Sequence, residues 1–392
     1  MPEFLQVVES IRAEEASVQR LFGGEGRGVR SIPRGIDYSH RLAEAAQFLA
    51  DLYEGRRPAY QLKEVMTTSD FPLLFGDIID RQLLANYTEM PKTYPNYVWV
   101  STVNDFRSVR RFAINGSEAV LIAVPEQTEY PESSVSEVRY TYAVQKYGRT
   151  VAFAWEAIIN DDLQALQDIP MRLGKAARRT EERFATTLFV DANGPSAAFY
   201  TVPNHNIVNA TNAGGAYTAV NPPLSIAALQ QAFTVLNNQV DADGEPILID
   251  AVELVVSPAL EVVAQNILNA LQLTVGPQNQ TLITANWMQR KMHLSVNPYI
   301  PVVASTANGT TSWFLFASPT GSRPALEIGF LRGHTSPELF IRDSDQTRVS
   351  GGGNDPMNGD FETDSVVYKV RHVLGGARLD PRVTVASSGA GV

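Results

Sequence analysis

The stretch running from Ala119-Val-Leu-Ile-Ala-Val124 through Val138-Arg-Tyr-Thr-Tyr-Ala-Val144 to Val190 decides the fold. Residues 119–124 form a continuous apolar run containing β-branched side chains, which predicts a strand. Residues 138–144 alternate. Val138, Tyr140, Tyr142 and Val144 share one face, and Arg139, Thr141, Ala143 and Gln145 share the other, as a period-two strand requires. Between the runs, Pro125 and Pro131 bracket Glu126, Gln127, Thr128, Glu129 and Tyr130. Proline cannot donate to a ladder, so the pair marks the end or the edges of a hairpin. Gly148 allows a bend, and Thr150 to Trp155 returns towards a core. The tip carries Glu126, Glu129, Glu132 and Glu137 and no lysine. An exposed two-stranded hairpin is marginal alone, so this one must rest on its own sheet or on a neighbouring subunit. The pattern leaves both open.

The hairpin runs into a long helix. Asp168 is an N-cap candidate and Pro170 falls in the first turn, where its missing N–H costs little. Ile169, Leu173, Ala177, Thr180, Phe184 and Leu188 follow at three- and four-residue steps and make one stripe. Arg172, Lys175, Arg178, Arg179, Glu181, Glu182 and Arg183 cover the remaining faces. At the standard rise this helix spans roughly 30–35 Å. Asn160-Asp161-Asp162 caps a short preliminary helix through Gln167. The arginines raise the question of nucleic acid, but acidic residues are interspersed and no stacking aromatics are interleaved. A solvated or intersubunit face is the better reading.

The chain has 392 residues, a net charge of −10 and no cysteine. That length supports a sizeable core and two or three domains. The acidic balance argues against a protein whose main task is gripping nucleic acid. Disulfides and thiolate metal sites are excluded. His40, His205, His293, His334 and His372 are scattered, and no metal or other cofactor is expected. No apolar run is long enough to span a membrane. Met-Pro-Glu-Phe lacks the basic start and apolar core of a signal peptide, so synthesis and retention in a cytoplasm are expected.

Residues 3–22 have an amphipathic helical pattern closed by Gly23-Gly-Glu-Gly-Arg-Gly28, and a second helix is expected from about Tyr38 to Tyr53. The first hundred residues therefore read as an arm of separate pieces. Residues 191–223 read as a long connection. Beyond them a helix is expected over Leu224–Leu236, a strand over Ala251–Val256 and a helix over Pro258–Leu271. Strands are expected near Leu294–Val296, Trp313–Ala317, Leu326–Ile328 and Leu339–Ile341. Together these suggest a compact α/β unit of about 120 residues, close to an ordinary domain. Gly351 to Gly359 reads as a loop, and Phe361 to Val373 as a strand expected to complete the domain of the hairpin and helix.

No active site emerges. Asn193-Gly-Pro-Ser196-Ala-Ala198 has Ala198 where a nucleophile elbow needs its second glycine. Asp241-Ala-Asp243-Gly244-Glu245 is a shard of a calcium loop without the other ligand positions, and a turn between Gln239 and Pro246 explains it better. Asp343 and Asp345 beside Arg342 read as an exposed charged loop.

Thr67-Thr-Ser-Asp-Phe-Pro72, Asp105-Phe106-Arg107, the hairpin, and Ile158-Ile-Asn-Asp-Asp162-Leu before a long helix together resemble the major capsid proteins of tailed double-stranded DNA bacteriophages. The resemblance covers about Thr67 to Arg382. The motifs are short; their order and spacing are specific in combination. It implies an α+β fold with an N-terminal arm (1–118), an extended hairpin loop reaching over a neighbour (119–153) and a peripheral domain with a spine helix (154–223). An axial α/β domain (224–342) and a return to the peripheral domain (343–392) follow. Some members join subunits covalently through a lysine in the loop. Here the tip has none and Lys146 lies at the base, so a non-covalent shell is expected. Some members also carry an N-terminal scaffold or protease segment, and no such removal is expected here.

The resemblance implies a non-enzymatic protein that assembles as pentamers and hexamers into an icosahedral head around double-stranded DNA. The DNA would be contacted weakly, with portal protein and scaffold or cement proteins as partners and assembly in the host bacterial cytoplasm. Candidate intersubunit contacts are Glu126, Glu129, Glu132, Glu137, Arg139, Arg149, Arg172, Arg178 and Arg179. The competing readings are a nanocompartment shell around an enzyme cargo and, less well supported, a soluble hydrolase.

Overall fold

The computed structural model describes residues 80, 82–88, 91–115, 124, 136–154, 163–208, 220–241, 244–249, 252–270, 272–275, 282–321, 323–342, 344–346 and 359–389, with Glu44, Ala45, Gln47, Phe48, Asp51 and Arg56. The expected helix over residues 3–22, the glycine run after it and the hairpin tip lie outside the described residues. Of the expected second helix, Glu44, Ala45, Gln47, Phe48 and Asp51 are helical.

The elements that matter are α1 (82–88), β1 (Trp99–Val103), β2 (Val109–Asn115), β3 (Ser136–Tyr142), β4 (Gln145–Ala154) and α2 (Leu163–Phe189). They are followed by α3 (Ile226–Asn237), β5 (Val252–Val256), α4 (Glu261–Asn269), β6 (Met292–Val296) and β7 (Trp313–Ala317). The last are β8 (Leu326–Leu331), β9 (Glu338–Ile341), β10 (Ser365–Arg378) and β11 (Thr384–Ser387). The chain is α+β, and it divides into two discontinuous compact units. One comprises Met1–Pro91, Lys146–Arg178 and Ser336–His372; the other comprises Lys92–Gln145, Arg179–Thr335 and Val373–Val392.

In the first unit α1 packs on the N-terminal part of α2. Leu83, Leu173 and Val370 form a small core with Leu84, Val151 and Leu339 against it. Gly174 permits the close helix approach, since a Cβ there would stand 2.6 Å from the Leu83 carbonyl oxygen. β9 pairs antiparallel with the first half of β10, Glu338 opposite Arg371. β4 also pairs with β10. Gly148 does not bend the chain as expected. It sits inside β4, where a Cβ would lie 2.7 Å from the Val370 carbonyl oxygen, so its value is close approach of two backbones.

In the second unit, a four-stranded sheet has the order β6-β5-β7-β11. Val252, Leu254 and Val256 of β5 and Trp313 and Leu315 of β7 face the main core with Leu229, Leu236, Ile267 and Leu268 of α3 and α4. Ser225 caps α3 by accepting from the Ala228 N–H. The opposite sheet face carries Phe314 and Phe316, whose rings meet Phe189 at 4.9 and 5.2 Å. Tyr97 stacks on Phe316 at 5.2 Å. Strands buried on both faces read as continuous apolar runs, which is why Trp-Phe-Leu-Phe-Ala was legible. Elsewhere in this unit β1 runs parallel to β8, and β8 pairs antiparallel with the second half of β10.

Several expectations change. The expected α/β unit over 224–342 does not close on itself: β8 and β9 leave it to pair with β10, and β11, from the chain's last residues, pairs with β7. Strand pattern specifies faces but not partners, so the pattern gave no sign of this exchange. The helix begins at Leu163, not after Asp168, so the preliminary helix and the long one are continuous. Pro170 forfeits a single amide bond in a helix of 27 residues. The last long strand starts at Ser365, because Asp360 holds Thr363 and Ser365 in a tight turn through its carboxylate.

Candidate functional site

Among the described residues the partner of β3 is β2; the expected partner run, 119–124, lies outside them apart from Val124. The pair is antiparallel, from Val109 opposite Tyr142 at the root to Asn115 opposite Ser136 at the far end. Val124 lies in no strand, and the rest of the 119–124 run lies outside the described residues. Sequence favoured the more apolar run, but Val109-Arg-Arg-Phe-Ala-Ile-Asn alternates in register with β3. The expected alternation in β3 holds: Tyr142 and Val144 are buried, Tyr140 is half-buried, and Arg139, Thr141 and Ala143 are exposed.

The ribbon is anchored at its root by one buried carboxylate. Glu327 of β8 has no exposed side-chain surface. Its Oε1 accepts from Arg111 Nη2 at 2.7 Å and from Arg111 Nε at 3.0 Å, while Oε2 lies 3.1 Å from the same Nε. Oε1 also accepts from Tyr142 Oη at 2.6 Å and Ser101 Oγ at 2.5 Å. Charge-assisted bonds of this kind are the strong ones, and full satisfaction makes a buried charge tolerable. Burial pushes the Tyr142 hydroxyl up to about 12, helped by its bond to Glu327, and Arg111 is raised by its own hydrogen bonds to the same carboxylate. Gly329 makes room, because a Cβ there would stand 2.5 Å from Tyr142 Oη. Gly375 lets the chain after β3 cross β10, with its Cβ position 2.6 Å from the Ala143 carbonyl oxygen. Val103, Tyr142, Val144, Leu331 and Val373 seal the root.

With the inner face occupied, the ribbon turns Arg110 and Phe112 outwards beside Thr141 and Arg139, their register partners. Phe112 is 55% exposed. Arg139 Nε donates to Thr141 Oγ1 at 3.4 Å, and among the described residues neither Arg110 nor Arg139 pairs with a carboxylate.

Glu181 and Glu182 do not cover a solvated helix face. Both are buried, where they hold the turn Tyr94–Asn96 and its flanks. Glu182 accepts from Thr93 N at 2.6 Å and Thr93 Oγ1 at 3.0 Å, and Tyr94 Oη donates to Glu181 at 3.0 Å. Asn297 Nδ2 donates to Tyr97 Oη and to Thr186 Oγ1, both at 2.9 Å. Asn96 donates to Ser295, whose hydroxyl donates to buried Glu253. Burial holds Glu182 and Glu253 above the ordinary carboxylate range.

Among the expected contact residues, Glu126, Glu129 and Glu132 lie outside the described residues, and Glu137 sits in β3 opposite Ile114. Arg139, Arg149, Arg172 and Arg179 are exposed. Arg178 is a correction: it is buried, its guanidinium lies 3.8 Å from the Tyr87 ring centre, and its Nε donates to the Tyr87 carbonyl at 3.1 Å. It braces α1 on α2 within the chain. Sequence reasoning missed Glu327, Arg111 and Ser101 altogether. Glu327 is a single charge in an apolar run, Ala325-Leu-Glu-Ile-Gly-Phe, and that interruption was the available signal. Among the described residues no cluster could hold a metal ion, and no helix is long and apolar enough to cross a membrane.

Residues 137–387 match the family model described as phage capsid protein. No curated protein matches the chain. Among solved structures it is similar to one from Gordonia phage Cozz at 13% identity, covering 76% of this chain and 91% of that one, with a TM-score of 0.42. It is similar to the capsid of Ralstonia phage GP4 at 9% identity, over 74% and 86% of the two chains, with a TM-score of 0.42. A virus-like particle from Pyrococcus furiosus matches at 12% identity, over 79% and 97%, with a TM-score of 0.37. The family match spans well over half of the chain and carries the assignment. The chain belongs to the phage capsid protein family: it is a major capsid protein that self-assembles into the icosahedral shell of the virion, a structural protein and not an enzyme.

Proposed function

We propose that this subunit assembles non-covalently into pentamers and hexamers, with the ribbon as the interlocking element between neighbours. The observation that carries this reading is the division of the ribbon into two faces. Its inner face is clamped to the subunit through Glu327, Arg111 and Tyr142, while its outer face leaves Arg110, Phe112 and Arg139 exposed. A clamped root with an exposed outer face suits an element that must transmit load to a neighbour. Each contact is modest, and repetition around a closed shell multiplies them.

The arm is assigned to residues 1–108 and the extended loop to 109–153, since β2 pairs with β3. The spine-helix domain begins at 154, and the axial role falls to the layer of β5, β6, β7 and β11 with α3 and α4. Arg149, Arg172 and Arg179 are exposed and contribute at subunit boundaries, with Glu126, Glu129, Glu132 and Glu137 as acidic counterparts. Portal protein and scaffold or cement proteins complete the particle, which assembles in the host bacterial cytoplasm. Packaged double-stranded DNA is contacted weakly, because a chain of net charge −10 offers few phosphate neutralisations.

Deleting Glu126 to Glu137 tests the interlock. The expected result is a soluble, folded subunit that forms no shells under electron microscopy. Normal shells from the deletion would overturn the reading.

A further inference from the structure

We propose that the outer face of the β2–β3 ribbon, formed by Arg110, Phe112, Arg139 and Thr141, is the docking surface for the acidic segment Glu126–Glu137 of a second copy of this chain. The inference rests on the interlocking reading above and names the surface that receives the loop.

The receiving face is cationic and half apolar. Arg110 stands opposite Thr141 and Phe112 opposite Arg139, so the four side chains form a patch two residues wide on each strand. On a ribbon the diagonal Arg110–Arg139 separation is about 7–8 Å at the backbone. Two guanidiniums then flank a phenyl ring that is 55% exposed. Arginine and an aromatic anchor are the residue types that dominate protein interface energetics.

The occupant follows from charge. Residues 116–138 contain Glu118, Glu126, Glu129, Glu132 and Glu137 and no lysine or arginine. Every copy thus supplies one acidic segment and one cationic face, the condition for a head-to-tail contact that closes into rings. The segment's own ribbon is a poorer host, since the chain leaves it at Asn115 and re-enters at Ser136, the end remote from Arg110. DNA is a poorer occupant, because Phe112 sits between the two charges and offers a phosphate nothing. Carboxylates with Pro125, Tyr130 and Pro131 beside them in sequence match both the charges and the ring.

The test is charge exchange in the full chain. Arg110→Glu with Arg139→Glu is expected to leave the circular dichroism of the subunit unchanged. Shell yield is expected to fall about tenfold or more, because a small loss per contact multiplies over many contacts. Adding Glu126→Arg and Glu129→Arg to that variant is expected to restore shells. Wild-type shell yield from the arginine variant overturns the proposal. A folded variant that the compensating changes do not restore also overturns it, in favour of another occupant such as DNA. Should the reversal fail to fold, Arg110→Gln with Arg139→Gln is read by the same criteria.

A second measurement separates neighbour from self. The chain has no cysteine, so Arg139→Cys and Glu129→Cys can be placed in separate subunits and assembled together. Mild oxidation is expected to give a disulfide-linked dimer of the two variants. A chain carrying both cysteines that bridges only within itself, with no mixed dimer, overturns the proposal. These outcomes are distinguishable from the deletion experiment: normal shells without residues 126–137 sink the interlock and this surface together, whereas failed rescue sinks only this docking surface.

Discussion

Arg111 and Glu327, 216 positions apart in the chain, form a two-pronged ion pair in which Arg111 Nη2 lies 2.7 Å from Glu327 Oε1. The pair fixes the root of the β2–β3 ribbon to a strand with no exposed surface at that point. Arg111→Ala leaves the carboxylate with only Ser101 and Tyr142. The expected cost is about 2–4 kcal/mol, at the lower side of values for broken buried pairs because the arginine is partly exposed. Urea denaturation of the isolated subunit measures it, and a loss below about 1 kcal/mol, the scale of a surface pair, contradicts the anchoring role.

Gly329→Ala sets a methyl against Tyr142 Oη, and overpacking of this kind costs about 1–3 kcal/mol. The cost is expected to shrink in a Tyr142→Phe background, where the clashing oxygen is gone. A double-mutant cycle reads the coupling, and strictly additive effects would show that the two positions do not compete for space.

Arg178→Ala removes both a cation–π contact and a bond to the Tyr87 carbonyl, an expected loss of about 2–3 kcal/mol. Arg178→Lys is expected to recover less than half, because an ammonium cannot lie flat on the ring while donating sideways. Since the group is internal, shells formed by either variant should keep the salt dependence of the unaltered protein. An altered salt dependence would return Arg178 to the intersubunit surface.

Acid and alkali are expected to act on different carboxylates. Glu182 and Glu253 are raised by burial, so their folded values lie above the unfolded ones. Their contribution is full below the unfolded value of about 4.5 and declines as pH rises through the folded value. Asp360 is lowered to about 2 by bonds from Ser365 and Thr363, so its contribution is present above about 3.8 and is lost as pH falls towards 2. Glu253→Gln should flatten the decline above pH 4.5, and Asp360→Asn should flatten the acid limb. Unfolding curves collected from pH 2 to 8 check both, and unchanged slopes in either variant contradict the assignment.

Much of this protein was legible without coordinates because its elements carry local signatures. Trp313–Ala317, Val252–Val256 and the helix expected over Leu224–Leu236 follow from their apolar patterns, while the Ser225 cap that starts the helix at Ile226 emerged from the structure. The alternation of Tyr140, Tyr142 and Val144 against Arg139, Thr141 and Ala143 oriented β3 correctly before its partner was known. Local preference also predicted a long helix over most of α2, although its start was set too late by a proline that the helix simply absorbs.

Only the tertiary structure decided which strand partners β3, where β8, β9 and β11 pair, and which charges are internal. Register and pairing are properties of two segments distant in sequence, and neither segment encodes the other's position. The fate of Arg178, Glu181, Glu182 and Glu327 is likewise non-local. A charge on an amphipathic pattern reads as solvent-facing until a Tyr87 ring, a Thr93 hydroxyl or an Arg111 fork arrives from elsewhere in the chain to satisfy it. The sequence by itself determined the family resemblance, the run of glutamates between the two strands and the lack of an active-site motif. The fold determined what clamps the root of the β2–β3 ribbon, because clamping requires groups that meet only in space.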